Sequence, residues 1–209
     1  MRWTVLIPTK ALGEAKTRLV GTHAGASAHA LVEAIRADTV AAATSCPAVA
    51  RVVLVVDRAS AVSAAIEVFV QSTPGLNPAL AEAAQYAATN WPGDGVAALL
   101  GDLPALRSDE LDYALRAAEA VDRGFVADAT GQGTTLLTVR PGIALNPQFG
   151  VGSAARHIES AAPLPAAPGL RRDVDTARDL AEALTIGVGT ATAAAAQRLS
   201  IRSVHLDSA

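Results

Sequence analysis

The chain carries a single cysteine, Cys46, which excludes an intramolecular disulfide and any cluster of thiolate metal ligands. A lone cysteine also suits a reducing cytoplasm. Charge is scarce: 18% of residues are charged, the net charge is −3 and the isoelectric point is about 5.8. That balance gives no bulk electrostatic pull toward nucleic acid or a membrane surface. Long apolar runs are missing as well, since none approaches the ~18 residues of a membrane span. The opening MRWTVLIPTK lacks the apolar stretch of roughly 7–15 residues and the small-residue cleavage site of a signal peptide. A soluble, cytoplasmic protein is therefore expected, with no nucleic acid or membrane among its partners. Phosphate-binding loops are absent too: G-x-x-x-x-G-K-[ST] occurs nowhere. GVGSAA (150–155) does fit G-x-G-x-x-A, but ALNPQF before it is no buried strand, so a Rossmann reading is rejected.

What remains is rich in alanine and β-branched residues. At 209 residues and 51% hydrophobic, the chain is long enough for one domain with a substantial core. Short apolar runs recur at 3–7 (WTVLI), 51–56 (RVVLVV), 67–71 (EVFVQ), 95–100 (GVAALL), 125–128 (FVAD) and 134–139 (TTLLTV). Continuous runs of this kind suit strands buried on both faces. Helical spacing appears between them at 29–43, 77–88 and 108–121, the last starting at Ser108 with Glu110 and Leu111 behind it. The alternation predicts an α/β three-layer sandwich with a mixed, mostly parallel sheet. Further helices are expected from DTARDLAEAL and from 190–199, while PLPAAPGL (163–170) reads as a connector.

Ligands of open α/β sheets bind beyond the carboxyl ends of the strands. Three charged segments fall there. PTKALGEAKTRL (8–19) sets Lys10, Lys16 and Arg18 against one carboxylate, Glu14, and reads as a solvated loop or a triphosphate clamp. GDLPAL (101–106) is a turn or a site for Asp102. In RRDVDTARDL (171–180), an extended backbone would point Asp173 and Asp175 to one side and Val174 into the core. Like charges so close repel, which makes a divalent cation a natural resident. The alternative is a helix cap at Asp175 or Thr176, with Asp179 completing a capping box. Together, three carboxylates and a cationic loop suggest magnesium-assisted phosphate chemistry. His23, His29, His157 and His205 show no ligand spacing, and His157 is expected on a helix surface.

Six segments in order, K-x-L-x-x-A-K-T-R-L (10–19), G-L-N-P-A-L (75–80), G-D-L-P-A-L (101–106), G-T-T-L-L (133–137), F-G-x-x-S-x-x-R-H (149–157) and D-V-D-T (173–176), resemble the phosphoenolpyruvate/2-phospho-L-lactate guanylyltransferases of coenzyme F-420 biosynthesis. The resemblance implies a GT-A-like nucleotidyltransferase fold forming a single domain over 1–209, with a nucleotide-binding first half and an acceptor-binding second half. It implies catalytic carboxylates at Asp102, Asp173 and Asp175 holding two Mg²⁺ ions. Phosphoenolpyruvate would be held around Thr134, Gly150 and Ser153, the GTP phosphates by Lys10, Lys16 and Arg18, and the guanosine end by Asn77. The implied reaction is transfer of GMP from GTP to phosphoenolpyruvate, with 2-phospho-L-lactate and 3-phosphoglycerate as alternative acceptors. A non-catalytic nucleotide-binding regulator is the alternative of another class, which the intact aspartates disfavour. The implied product is consumed by a phospholactate transferase, so a transient contact with that enzyme is expected. Sugar and molybdopterin nucleotidyltransferases carry a glycine-rich loop after their first strand, whereas TKALGEAKTRL has one glycine and relies on cationic side chains. Arg172 departs from the family pattern, with Asp173 and a substrate phosphate as its candidate partners.

Overall fold

A computed structural model describes residues 1–9, 26–58 and 66–198. In chain order the elements are β1 (Trp3–Pro8), α1 (Ala26–Thr44), β2 (Val49–Val56), β3 (Glu67–Val70), α2 (Leu76–Asn90), β4 (Gly95–Leu99) and α3 (Ser108–Ala118). There follow β5 (Arg123–Ala127), β6 (Thr134–Val139), α4 (Ser153–His157), β7 (Ala162–Pro163), α5 (Pro168–Arg171), α6 (Ala177–Ile186) and α7 (Thr190–Arg198). Every apolar run picked out as a strand is one. The segment 163–170 differs from the expected plain connector, since it opens on the short edge strand β7 and runs into α5.

The seven strands form one sheet in the order β3-β2-β1-β4-β6-β5-β7. β6 runs antiparallel to both β4 and β5, and the other pairings are parallel. Alternate side chains feed two cores, as the period of two requires. On one face Val5, Ile7, Val52, Leu54, Ala97 and Leu99 meet Leu111, Ala114 and Leu115 of α3. On the other, Leu6, Val53, Val55, Val96 and Ala98 meet Ala79, Leu80 and Ala83 of α2. A third cluster joins Leu31, Val32 and Ile35 of α1 to Leu180 and Ala183 of α6 and Ala195 of α7. The start of α7 is fixed by Asp38 on α1, whose carboxylate accepts from the backbone N–H groups of Ala191 (3.1 Å) and Thr192 (2.7 Å). Helix α3 starts at Ser108 as its sequence predicts, with the Glu110 carboxylate accepting from the Arg107 N–H at 3.2 Å. Among the described residues no helix is long and apolar enough to cross a membrane.

Because β6 is antiparallel, its first residue lies at the same end of the sheet as the last residues of β4 and β5. Leu99 pairs with Leu136, and Ala127 pairs with Thr134. Asp102, Asp128 and Thr134 are thereby brought to one end.

Candidate active site

The acidic corner is assembled by backbone hydrogen bonds. Beyond β4, the Leu100 N–H donates to Thr135 O at 2.9 Å, and the Leu103 N–H to Thr39 Oγ1 of α1 at 3.0 Å. The turn carrying Asp102 is held between sheet and helix. The Val174 N–H then donates to Asp102 O at 3.0 Å, which sets the DVD segment directly against that turn. Val174 is fully buried in the third core cluster, Asp173 is half-buried and Asp175 is exposed. The in–out alternation read from the sequence holds, although residues 172–175 pair with no strand.

The capping box forms without either of these aspartates. Thr176 Oγ1 accepts from the Asp179 N–H at 3.2 Å, and the Asp179 carboxylate accepts from the Thr176 N–H at 2.8 Å. Both DVD side chains are therefore left outside the cap. The two arginines in front are staples. Arg171 donates to the carbonyl oxygens of Ala127 (3.1 Å) and Asp128 (2.8 Å) at the end of β5. Arg172 turns away from Asp173 and pairs with Glu182 (2.7 Å) and Asp179 (3.5 Å) on α6. The charges crowded into RRDVDTARDL thus have two purposes: the cations lock the segment from both sides, and two of the anions remain available.

Burial raises the Asp173 carboxyl pKa to about 7, with further contributions from the negative charges of Asp102, Asp175 and Asp128. A cation would reverse this penalty. The donor set is all oxygen, as a hard divalent ion requires. No group of three or more His, Cys, Asp or Glu among the described residues forms a ready metal cage. Mg²⁺ suits such an open arrangement, because it retains waters and takes one or two carboxylates plus substrate phosphates. Asp128 was not anticipated as a neighbour. Its carboxylate accepts from the Gln132 N–H (3.0 Å), the Gly133 N–H (2.8 Å) and Thr130 Oγ1 (2.8 Å), and so builds the turn between β5 and β6. An aspartate opening a Thr-Gly-Gln-Gly turn is the sequence signal for that role.

The same turn leads to the second half of the site. The Ala129 N–H donates to Arg171 O at 2.8 Å, while the Ala154 N–H donates to Gln132 O at 3.0 Å. One short loop therefore touches both the end of α5, just ahead of the DVD segment, and α4. Thr134 and Ser153 are nearly buried, and their hydroxyl oxygens lie 3.1 Å apart. Gly150 and Gly152 have φ of 118° and 72°, the left-handed region that glycine alone enters freely. Arg156 fixes this loop by donating to Val151 O (2.8 Å) and Gln148 O (2.9 Å).

His157 corrects the expectation of a surface position. It is completely buried, with Nδ1 2.8 Å from Thr134 Oγ1 and Nε2 accepting from the Gln148 N–H at 3.0 Å. Rings of Phe149 and Phe125 flank it. Burial, with the nearby Arg123 and Arg156 guanidinium groups, lowers its pKa to about 4. Ser153 and His157 stand four apart and share a helix face, which is the signal that was available in the sequence.

Asn77 stands at the start of α2 and bridges to the loop that precedes α4. Its Nδ2 donates to Phe149 O at 3.1 Å, and its Oδ1 accepts from the Phe149 N–H at 2.8 Å. Lys10, Lys16 and Arg18 lie outside the described residues.

The family model described as "Guanylyl transferase CofC like" matches residues 3–208. A phosphoenolpyruvate guanylyltransferase of Thermomonospora curvata is 48% identical over 207 residues, covering 95% of this chain and 90% of that protein. One from Streptomyces coelicolor is 48% identical over 209 residues, covering 96% and 99%. Among solved structures, a Desulfovibrio desulfuricans G20 protein assigned as a nucleotide-diphospho-sugar transferase has a TM-score of 0.70 at 18% identity, covering 95% of this chain and 97% of its own. A 4-diphosphocytidyl-2C-methyl-D-erythritol synthase has a TM-score of 0.60 at 12% identity, covering 88% and 98%. A Mycobacterium tuberculosis H37Rv protein solved with manganese has a TM-score of 0.57 at 18% identity, with the same coverage. The architecture is that of the nucleotidyltransferases, and the chain belongs to the CofC-like guanylyl transferase family.

Proposed function

We propose that this chain transfers GMP from GTP to phosphoenolpyruvate, releasing pyrophosphate and forming enolpyruvyl-diphospho-guanosine for coenzyme F-420 biosynthesis. Support comes from relatives that are named for this activity and nearly half identical over the whole chain. The observation that carries the reading is the shared turn 128–134, which has the Asp173 region at one end and the Thr134–Ser153 hydroxyls at the other.

An oxygen of the acceptor phosphate attacks the α-phosphorus of GTP. A new P–O bond forms, and the bond from the α-phosphorus to the oxygen bridging to the β-phosphate breaks, its electron pair leaving with pyrophosphate. The nucleophile is already ionised at neutral pH, so no side chain need remove a proton. This accounts for a site in which the buried His157 is held away from reaction by two hydrogen bonds. The obstacle is repulsion between two polyanions. Asp102, Asp173 and Asp175 would hold one or two Mg²⁺ ions, whose charge offsets that repulsion and the charge developing in transit. Lys10, Lys16 and Arg18 take the triphosphate. Asn77 keeps one amide N–H and one lone pair for the guanosine end. Thr134, Ser153 and the backbone of Gly150 receive the acceptor. The first half thus binds the nucleotide and the second the acceptor, within one domain. The product carries an activated diphosphate linkage and requires a transferase to consume it, the phospholactate transferase of that route, in the cytoplasm.

The test is to offer GTP with phosphoenolpyruvate, 2-phospho-L-lactate or 3-phosphoglycerate in turn, and to follow pyrophosphate. Phosphoenolpyruvate is expected to give the highest kcat/KM. Preference for either other acid would reassign the acceptor, and no pyrophosphate with any of them would overturn the transfer itself.

A further inference from the structure

We infer that His157 is a positioning residue whose neutral, Nδ1-protonated tautomer leaves one hydroxyl proton of the Thr134–Ser153 pair directed at an anionic oxygen of the acceptor. The inference rests on the reading that this pair holds the acceptor, and it extends that reading to a residue that touches no substrate.

The argument is a count of protons. A backbone N–H can only donate, so the contact from the Gln148 N–H at 3.0 Å requires an unprotonated Nε2. Burial with Arg123 and Arg156 nearby keeps the ring neutral at ordinary pH. Its single proton must then sit on Nδ1 and donate to Thr134 Oγ1 at 2.8 Å. Three protons are present in the chain His157–Thr134–Ser153: the Nδ1–H and two hydroxyl protons. Two contacts lie within it, at 2.8 and 3.1 Å. One hydroxyl proton is left over, and among the described residues neither hydroxyl has a further hydrogen-bond acceptor. A nearly buried donor without a partner is costly, so the site is matched to a ligand that accepts. With the opposite tautomer, Thr134 would donate to Nδ1 and Ser153 to Thr134, and no proton would remain. The same two hydroxyls would then face the acceptor with lone pairs only and repel it. The histidine therefore sets the sign of the pocket without bringing any net charge.

The ring also sets the pocket's shape. Nε2 anchors Gln148 and the Phe149 ring packs edge-on at 5.4 Å, so the loop that delivers Gly150 is tied to the same imidazole.

Two measurements test this. In protein labelled with ¹⁵N-histidine, with His157→Gln identifying the resonance, His157 should show a protonated Nδ1 and an unprotonated Nε2 at pH 7. A protonated Nε2 overturns the inference, and this readout needs no activity from any variant. The second is a comparison of His157→Asn, whose amide N–H can replace Nδ1–H, with His157→Gln, whose oxygen can replace only Nε2. His157→Gln should raise the acceptor KM about ten-fold or more, leaving the GTP KM unchanged, while His157→Asn, which keeps the donor to Thr134 and loses only the Gln148 anchor, should raise it by a clearly smaller factor. Equal impairment of both, or a matching change in the GTP KM, would assign His157 to packing alone. Failure of the acceptor assignment would show separately: Thr134→Ala would use phosphoenolpyruvate as well as wild type does, whatever the tautomer.

Discussion

Asp173→Asn should stabilise the metal-free protein and at the same time disable it. In the fold, the Asp173 carboxyl has a pKa of about 7 against an ordinary value of 3.8, chiefly from burial and then from Asp102, Asp175 and Asp128. Between these two values the native state holds a proton that the unfolded state has released. The group's contribution is therefore most favourable at low pH and is lost as pH rises through 7. Each unit corresponds to about 1.36 kcal/mol, so a shift of roughly three units sets an upper bound of about 4 kcal/mol. Asp173 is only half-buried, and solvent screening brings the realised figure to about 2 kcal/mol. Replacing the carboxylate by an amide of the same shape removes that penalty.

The assay is urea unfolding with a chelator at pH 5 and pH 8. The variant should gain about 2 kcal/mol at pH 8, equivalent to about 4–8 °C in Tm for a chain of this size, and under 1 kcal/mol at pH 5. Added Mg²⁺ should raise the wild-type midpoint by linkage and leave the variant's nearly unchanged. Turnover should fall ~100-fold or more, the usual loss when a stabiliser of transition-state charge is removed. A variant that is destabilised at pH 8, or that keeps wild-type turnover, would refute the reasoning and leave Asp173 a structural residue.

Other perturbations separate the parts. Thr134→Ala should raise the acceptor KM by about 10- to 100-fold, the worth of a hydrogen bond to a charged group, with little effect on GTP in steady-state kinetics. Arg172→Ala breaks the pairing with Glu182 and Asp179 and should cost about 1–3 kcal/mol by chemical denaturation, loosening the DVD segment from α6. His157, lowered to a pKa of about 4 from 6.5, stabilises the fold above the higher value, and that contribution is lost as pH falls through the lower. In wild type this slope opposes that of Asp173 between about pH 4 and 6.5. In Asp173→Asn, acid destabilisation of about 1.36 kcal/mol per pH unit should emerge there, and its absence in a urea series would argue against the buried neutral imidazole.

The sheet was legible because its central strands are buried on both faces, so RVVLVV and TTLLTV read as continuous apolar runs. Val174 between two aspartates was legible for the related reason that its alternation survives even without strand pairing. Partners brought from afar were not. Arg172 faces Asp173 in sequence but is drawn to α6, because Glu182 and Asp179 offer a carboxylate pair already fixed by a helix and its cap. His157 looked polar and therefore exposed. Its burial depends on Thr134, 23 residues away, and on a backbone N–H at Gln148, which satisfy both ring nitrogens. Asn77 is similar: its amide is matched to the backbone of Phe149, 72 residues distant, a pairing that no local pattern announces.

The most direct test of the account is a crystal structure with phosphoenolpyruvate, Mg²⁺ and a non-hydrolysable GTP analogue. An acceptor oxygen should lie within hydrogen-bonding distance of Thr134 Oγ1 or Ser153 Oγ, with metal on Asp173 and its neighbours Asp102 and Asp175, and the α-phosphorus between them. Phosphoenolpyruvate bound away from Thr134, Gly150 and Ser153, or metal bound without Asp173, would contradict it.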